Sequence, residues 1–158
     1  MARLASAALL ATTLTALPAT ATAAASAGYT PEQVCGSGFG RVNGGTQPAT
    51  DHKGIIQGYV YLLYNARTGE NCVVTIKSNF VGQPTLTRAT LFRQIIGQNP
   101  DKFEDEGAYK YYAGPVKAQA KGRCVIFHGL ITNMRAGERS SASSIQAFGG
   151  SRDYGNCG

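Results

Sequence analysis

The sequence predicts an all-β fold: a small, disulfide-stabilised antiparallel sandwich or partly open barrel, with one short helix near the N-terminus. Three observations predict it. Short apolar and aromatic runs recur along the chain, separated by segments rich in Gly, Asn, Pro and Asp. The chain has four cysteines, an even number, which is typical of small exported domains. The stretch Thr30-Pro31-Glu32-Gln33 has the residues of a helix N-cap.

The first 27 residues have the layout of a cleaved secretory signal peptide. Arg3 gives a positive start, residues 4–17 are mostly apolar, and Ala25-Ser26-Ala27 offers small-residue cleavage sites after Ala25 or Ala27. The apolar run is too short to span a membrane, and no later segment is long enough either. We therefore expect a signal peptide over 1–27 and a single secreted β domain over 28–158.

The charge of the chain is mildly basic. Fifteen Lys and Arg face nine Asp and Glu, which gives a net charge of +6, and removal of Arg3 leaves about +5. The basic residues are scattered along the mature chain and form no stripe, so we interpret them as solubilising faces. The sequence predicts no specific nucleic-acid partner, no integral membrane segment and no cofactor.

Residues 58–77 predict a β-hairpin. Two runs of aromatic and aliphatic residues flank Asn65–Gly69, a five-residue segment with turn chemistry. Alternation in the second run places Cys72, Val74 and Ile76 on one face.

Other elements follow from the same signals. A short helix is expected at 31–35, with Thr30 as its N-cap. Further strands are predicted at 85–93, 108–113, 116–120, 124–131 and 144–148, with a short helix as the alternative at 85–93 and a turn of helix at 116–120. Three segments rich in turn residues or charge are predicted to be loops: 43–53, 97–107 and 133–144.

All four cysteines, Cys35, Cys72, Cys124 and Cys157, lie in the exported part, which allows three disulfide connectivities. No pair has C-x-x-C spacing, so a zinc site or a thioredoxin-type motif is disfavoured. We favour the pairs 72–124 and 35–157. Cys72 and Cys124 each open an apolar run, whereas Cys35 and Cys157 lie near the mature ends, which a bridge would tie down.

The sequence predicts no catalytic and no metal site. A hydrolase would need a nucleophile with His52 or His128 as its base, but there is no Gly-x-Ser-x-Gly motif and the cysteines are expected to be oxidised. His128, Glu138 and Arg135 contain the residue types of a ribonuclease, but no spacing rule supports the grouping. Residues 101–106 are acidic but lack the EF-hand order, so we interpret them as an exposed loop.

Four tyrosines suggest a binding platform. The chain has eight Tyr and no Trp, and Tyr59, Tyr61, Tyr109 and Tyr111 alternate along two predicted strands. If these strands pair, the rings form one surface that can stack on sugar rings or meet cations. The alternative is ordinary cross-strand packing, since strands favour aromatic residues.

A second candidate site is an inhibitor loop. Residues 132–137 form a polar segment in which Met134 or Arg135 would be offered to a protease pocket. A rigid disulfide-linked domain suits such binders. No cysteine adjoins this segment to brace it, however.

Several strings resemble the spore-associated protein A family of filamentous actinobacteria. They are VYLLYN at 60–65, NCVVT at 71–75, YYAGPV at 111–116 and GRCV at 122–125, together with 29–36 and 156–158. The resemblance covers most of the mature chain, although the segments 43–57, 95–106 and 132–145 are longer here than in the family pattern. It implies a small exported protein found with spores or in the medium, and it brings no catalytic residues.

The sequence thus predicts an exported, non-enzymatic protein of the spore surface or the cell envelope, whose partners are components of that envelope. The alternatives are a secreted module that binds cell-wall carbohydrate or a proteinase inhibitor, and after these a small secreted hydrolase.

Overall fold

The computed structural model describes residues 28–157, so the predicted signal peptide, residues 1–27, lies outside the described residues. The described part folds into one short helix and eight strands, which confirms the predicted all-β class. The elements are α1 Pro31–Cys35, β1 Gly40–Thr50, β2 Ile56–Asn65, β3 Glu70–Lys77, β4 Thr85–Arg93, β5 Asp101–Tyr109, β6 Tyr112–Gln119, β7 Val125–Thr132 and β8 Gln146–Gly150.

The eight strands form one antiparallel sheet in the order β5-β4-β7-β8-β1-β2-β3-β6. The sheet curls until its two edge strands, β5 and β6, meet, so it forms a nearly closed barrel. One link between the edges is the Asp105 carboxylate, which accepts a hydrogen bond from the Gly114 N–H at 2.6 Å. The inward faces supply the main core, which includes Val60, Leu62, Val73, Ala89, Leu91, Phe127 and Ile131.

A second, smaller core lies on the outer face of β2 and β3, beneath α1. It contains Cys35, Leu63, Cys72, Val74 and Ile76, each at most 3% exposed. Because β2 and β3 are covered on both faces, nearly every residue of β3 is buried. The predicted hairpin therefore forms with the expected alternation, and its Cys72 face packs against a helix.

The helix begins at the predicted cap. The Thr30 hydroxyl accepts the Gln33 N–H at 3.2 Å, and the Gln33 side chain accepts the Thr30 N–H at 2.9 Å. A helix of five residues is too short to be stable alone, so its packing on β3 has to hold it in place. This helix, the one described in residues 28–157, is too short to be a membrane span.

The disulfides are Cys35–Cys72 and Cys124–Cys157, so the favoured pairing 72–124 and 35–157 was wrong. Cys72 is in register with Leu63, and both point to the outer face, where α1 delivers Cys35. In the sheet order, β3 and β7 are separated by β2, β1 and β8. Cys124 instead lies beside the C-terminal segment, which pairs through Val125 and Gly155.

Two segments predicted to be loops are strands. Most of 43–53 belongs to β1, which tolerates its glycines because its register with β2 shifts between Arg41 and Thr46. Most of 97–107 belongs to β5, whose burial alternates residue by residue. The predicted strand 108–113 is divided, because the chain turns between Tyr109 and Tyr112 to pass from β5 to β6. The loop at 133–144 is present.

Candidate functional site

Tyr59 and Tyr61 lie next to each other on the outer face of β2. Their ring centroids are 6.2 Å apart, and both side chains are half-buried. Tyr61 packs against the second core, and the Arg41 guanidinium lies 5.1 Å above its ring. Burial raises the pKa of the Tyr61 hydroxyl, and the Arg41 charge opposes this, so Tyr61 is a neutral hydrogen-bonding group at physiological pH.

More tyrosines lie two strands away on the same face. Tyr59 is in register with Ile76 of β3, which is in register with Tyr112 of β6. The Tyr112 ring packs against the second core and lies 5.0 Å from the Tyr29 ring. Tyr29 in turn lies 5.5 Å from Tyr111.

We call these five residues the tyrosine surface: Tyr29, Tyr59, Tyr61, Tyr111 and Tyr112. Its most open members are Tyr29 and Tyr111, each 38% exposed.

The predicted platform is therefore rearranged. Tyr59, Tyr61 and Tyr111 belong to the tyrosine surface, but Tyr109 does not, because β5 pairs with β4 and not with β2. The Tyr109 ring packs against the main core, and its hydroxyl donates a hydrogen bond to Asp105. This bond, with burial, raises the pKa of Tyr109 to about 12.

Sequence reasoning missed Tyr29 and Tyr112. Tyr29 precedes every predicted strand, and the side on which Tyr112 lies depends on the pairing of β6 with β3, which is not a local property. The Tyr111-Tyr112 pair was the available signal, since at least one of two adjacent tyrosines in an extended chain faces outward, and both do so here because Tyr111 belongs to the turn before β6.

Cations lie close to the aromatic rings at this side of the barrel. Arg41 bonds Glu32 of α1 at 2.7 Å, and this bond lowers the pKa of the Glu32 carboxyl. The Lys117 ammonium lies 4.9 Å from the centre of the Phe39 ring. The arrangement offers rings, hydroxyls and positive charge, which suits a polymer with both apolar and polar faces.

The histidines lie apart from each other. His52 is exposed in the turn after β1, next to Asp51, whose carboxylate accepts the N–H groups of Lys53 and Ile55. The Nε2 atom of His128 lies 3.1 Å from the carbonyl oxygen of Ser151. Neither histidine forms an ion pair with a carboxylate in residues 28–157.

The predicted inhibitor loop presents one of its two residues. The Met134 side chain is only 9% exposed, and its backbone is held by bonds to Leu86 and Thr132. Arg135 is exposed, and its N–H donates to the Glu138 carboxylate at 2.9 Å. Neither Arg135 nor Glu138 is among the residues that the structure places against His128.

The carboxylates of the acidic segment 101–106 have protein partners. Asp101 pairs with Arg93, and Asp105 accepts Tyr109. Glu104 pairs with Lys102 at 2.8 Å, and Glu106 pairs with Arg88 at 3.1 Å. Among the described residues, no three His, Cys, Asp or Glu side chains are grouped to hold a metal ion.

Comparison with known proteins gives one informative match. The chain is 44% identical over 116 residues to "Spore-associated protein A" of Streptomyces coelicolor, which covers 73% of this chain and 67% of that protein. This chain belongs to the spore-associated protein A family. No protein-family model and no solved structure matches it.

Four of the six strings that resemble the spore-associated protein A family, 29–36, 60–65, 71–75 and 111–116, map to the tyrosine side of the barrel, and the other two lie beside β7 and the C-terminal segment. Residues 60–65 and 71–75 form most of β2 and β3, and 111–116 contributes the start of β6. Four residues of the tyrosine surface, Tyr29, Tyr61, Tyr111 and Tyr112, lie inside the strings that resemble the family. The family resemblance and the candidate site therefore coincide in the fold.

Proposed function

We propose that the protein is an exported, non-enzymatic protein of the spore surface or cell envelope, and that it binds envelope carbohydrate through the tyrosine surface. The observation that carries this proposal is a pair of tyrosine groups on the outer face, Tyr59 with Tyr61 on β2, and Tyr29 with Tyr111 and Tyr112 at the start of β6, on either side of the buried Ile76 of β3. The name of the Streptomyces relative supports the spore association.

Export is supported by the covalent structure. All four cysteines of the described part form disulfides, which persist in oxidising compartments and are rare in the cytosol. The leader-like sequence of residues 1–27 points the same way.

A binding role, in place of catalysis, is supported by the partners of the reactive groups. The thiols are oxidised, so they are not available as nucleophiles. The Asp51 carboxylate beside His52 is occupied by two backbone N–H groups and by the Gln57 amide at 2.9 Å. His128 faces a backbone carbonyl, whereas the histidine of a catalytic triad is oriented by a carboxylate.

The chemistry of the tyrosine surface suits cell-wall polysaccharide. The flat apolar face of a sugar ring stacks on a phenol ring, while the phenol hydroxyl exchanges hydrogen bonds with sugar hydroxyls. Tyr29 and Tyr111 expose their rings, and Tyr59 and Tyr61 continue the surface beyond Ile76. Such a surface binds a repeating polymer through several weak contacts whose combined affinity is high.

The proposal is tested by co-sedimentation of the protein over residues 28–158 with washed Streptomyces coelicolor spores and with purified peptidoglycan. We expect saturable binding to at least one of them, retained through washing at low salt. A sample whose disulfides have been reduced and alkylated is the control and should not bind in this way. Recovery of the folded protein entirely in the supernatant of both mixtures would contradict the proposal.

A further inference from the structure

A groove on the opposite part of the sheet is not used by the tyrosine surface. It lies on the outer face where β4, β7, β8 and β1 are neighbours, and its volume is about 500 Å³. This volume is in the usual range for small-ligand sites. We call it the glycine groove, and its lining includes Gln47, Pro48, Arg88, His128, Phe148 and Arg152.

β8 ends in two consecutive glycines, Gly149 and Gly150, that belong to the lining of the groove. A Cβ atom on Gly149 would lie 2.6 Å from the Pro48 carbonyl oxygen, and one on Gly150 would lie 2.1 Å from the Phe127 carbonyl oxygen. Neither position has room for a side chain, and Gly150 has a φ of +136°. Both positions are therefore kept as glycine by their close neighbours, and the lining that they give the groove is backbone.

Positive and hydrogen-bonding groups surround this backbone lining. Arg88 and His128 lie on the β4–β7 side, and exposed Arg152 follows the end of β8. The Arg88 guanidinium forms ion pairs with Glu106 at 3.1 Å and with Glu104 at 3.9 Å, which partly neutralise its charge. Arg152 forms no ion pair with any residue of 28–157, so its full charge is open to a ligand.

An exposed aromatic ring adjoins the charges. Phe148 is 55% exposed although it lies within a strand, and it is the partner of Thr50 and Leu130 in the ladder. Pro48 is also exposed at the rim. An apolar ring beside guanidinium groups and the Gln47 amide matches a ligand that has both a flat apolar face and an anionic group.

We infer that the glycine groove is a second binding site, for a sugar that carries a phosphate or carboxylate group. The sugar ring stacks on Phe148 over the backbone of Gly149 and Gly150, and the anionic group lies against Arg152 and Arg88, because charge-assisted hydrogen bonds from guanidinium are the strong ones. This inference is independent of the tyrosine surface, whose members lie on β2, at the start of β6 and before α1.

The test is a titration of the ¹⁵N-labelled protein over residues 28–158 with glucose 6-phosphate, glucuronate, glucose and inorganic phosphate, followed by NMR at the amides of Gly149 and Gly150. We expect glucose 6-phosphate or glucuronate to shift these amides with a dissociation constant in the millimolar range, and glucose to bind at least tenfold more weakly. A lower dissociation constant for glucose 6-phosphate would identify phosphate as the recognised group, and a lower one for glucuronate would identify carboxylate.

Variants separate the contributions of charge and ring. Arg152→Gln should weaken binding at least fivefold, while Arg67→Gln, which removes the same charge from the exposed β2–β3 turn, should change it less than twofold. Phe148→Ala should remove the preference for glucose 6-phosphate over inorganic phosphate.

The inference would be overturned by the absence of a shift at Gly149 and Gly150 with either anionic sugar, by equal binding of glucose, or by inorganic phosphate binding as tightly as glucose 6-phosphate, which would indicate an adventitious ion only. Equal loss in Arg152→Gln and Arg67→Gln would also overturn it. If tyrosine variants lose spore binding while glucose 6-phosphate or glucuronate still shifts the Gly149 and Gly150 amides, the glycine groove is supported as a site separate from the tyrosine surface.

Discussion

Lys77 and Tyr109 are joined by a hydrogen bond in which the Lys77 ammonium donates to the Tyr109 carbonyl oxygen at 3.0 Å. Lys77 ends β3 and Tyr109 ends β5, strands that lie far apart in the sheet order, so this bond forms where the curled sheet closes. The same ammonium donates to Gln83 O at 2.9 Å and to Thr85 Oγ1 at 2.7 Å. A fully buried lysine thus holds one end of the barrel together through three neutral oxygens.

Replacement of Lys77 by methionine should lower the free energy of unfolding. The variant avoids burying a charge but leaves three acceptors without their donor, and the buried one, Thr85 Oγ1, costs about 1–3 kcal/mol when unpaired. We expect a net loss of roughly 2–3 kcal/mol at pH 7, measured by urea unfolding with the disulfides intact. Lys53→Met at an exposed position is the control, and an equal effect of the two substitutions would contradict the role of Lys77.

The Lys77 variant should also differ from wild type in its pH dependence. Burial lowers the pKa of Lys77 to about 8 from an ordinary value of 10.5. Between these two pH values the unfolded chain keeps a proton that the folded chain has lost, so the stability of the wild type rises with pH in this window. The difference in stability between wild type and Lys77→Met should therefore widen from pH 8 to pH 10. A narrowing difference would show that the folded state prefers the charged form.

Replacement of Tyr109 by phenylalanine tests the bond to Asp105 at the edge of β5. The raised pKa of Tyr109, about 12, means that the bond stabilises the fold below pH 10, and that this contribution is lost as pH rises from 10 to 12. Tyr109→Phe should cost roughly 1–2 kcal/mol at pH 7, and less above pH 10. Tyr154→Phe is the control, and a cost that is constant up to pH 11.5 would contradict the assignment.

Removal of the two disulfides should lower the free energy of unfolding by different amounts. Their sequence separations of 37 and 33 residues give nearly the same chain-entropy contribution, about 4 kcal/mol each. Cys35 and Cys72 are also fully buried in the second core, whereas Cys157 is exposed. The double alanine variant at 35 and 72 should therefore be about 1–2 kcal/mol less stable than that at 124 and 157, because it also leaves a cavity. Equal stability of the two variants, or a 72–124 link in a non-reducing peptide map, would contradict this.

Local patterns predicted the parts of the fold that depend on neighbouring residues. The hairpin over 58–77 follows from alternation and turn chemistry, and α1 follows from the cap at Thr30. The acidic strand β5 was missed because its charges resembled a loop. Its alternation was nevertheless visible, since Phe103 points inward between Lys102 and Glu104, which point outward.

Properties that depend on distant residues could not be predicted in the same way. The partner of Cys72 is decided by which face of β3 is covered by α1, and both faces of that strand are buried. The tyrosine surface depends on the pairing of β3 with β6, which brings Tyr112 into line with Tyr59. The glycine groove depends on the position of β8 between β7 and β1, which sequence spacing does not reveal.

The most direct measurement is the binding isotherm of the Tyr29→Ala/Tyr111→Ala double variant on washed spores and purified peptidoglycan, beside wild type and Tyr154→Ala. Tyr154 is as exposed as Tyr29 and Tyr111, at 38%, but it lies on the C-terminal segment that adjoins β7. Loss of two stacked rings, at about 1 kcal/mol each, should weaken binding at least tenfold, while Tyr154→Ala should bind like wild type. Unchanged binding by the folded double variant, or equal loss in Tyr154→Ala, would contradict envelope binding through the tyrosine surface.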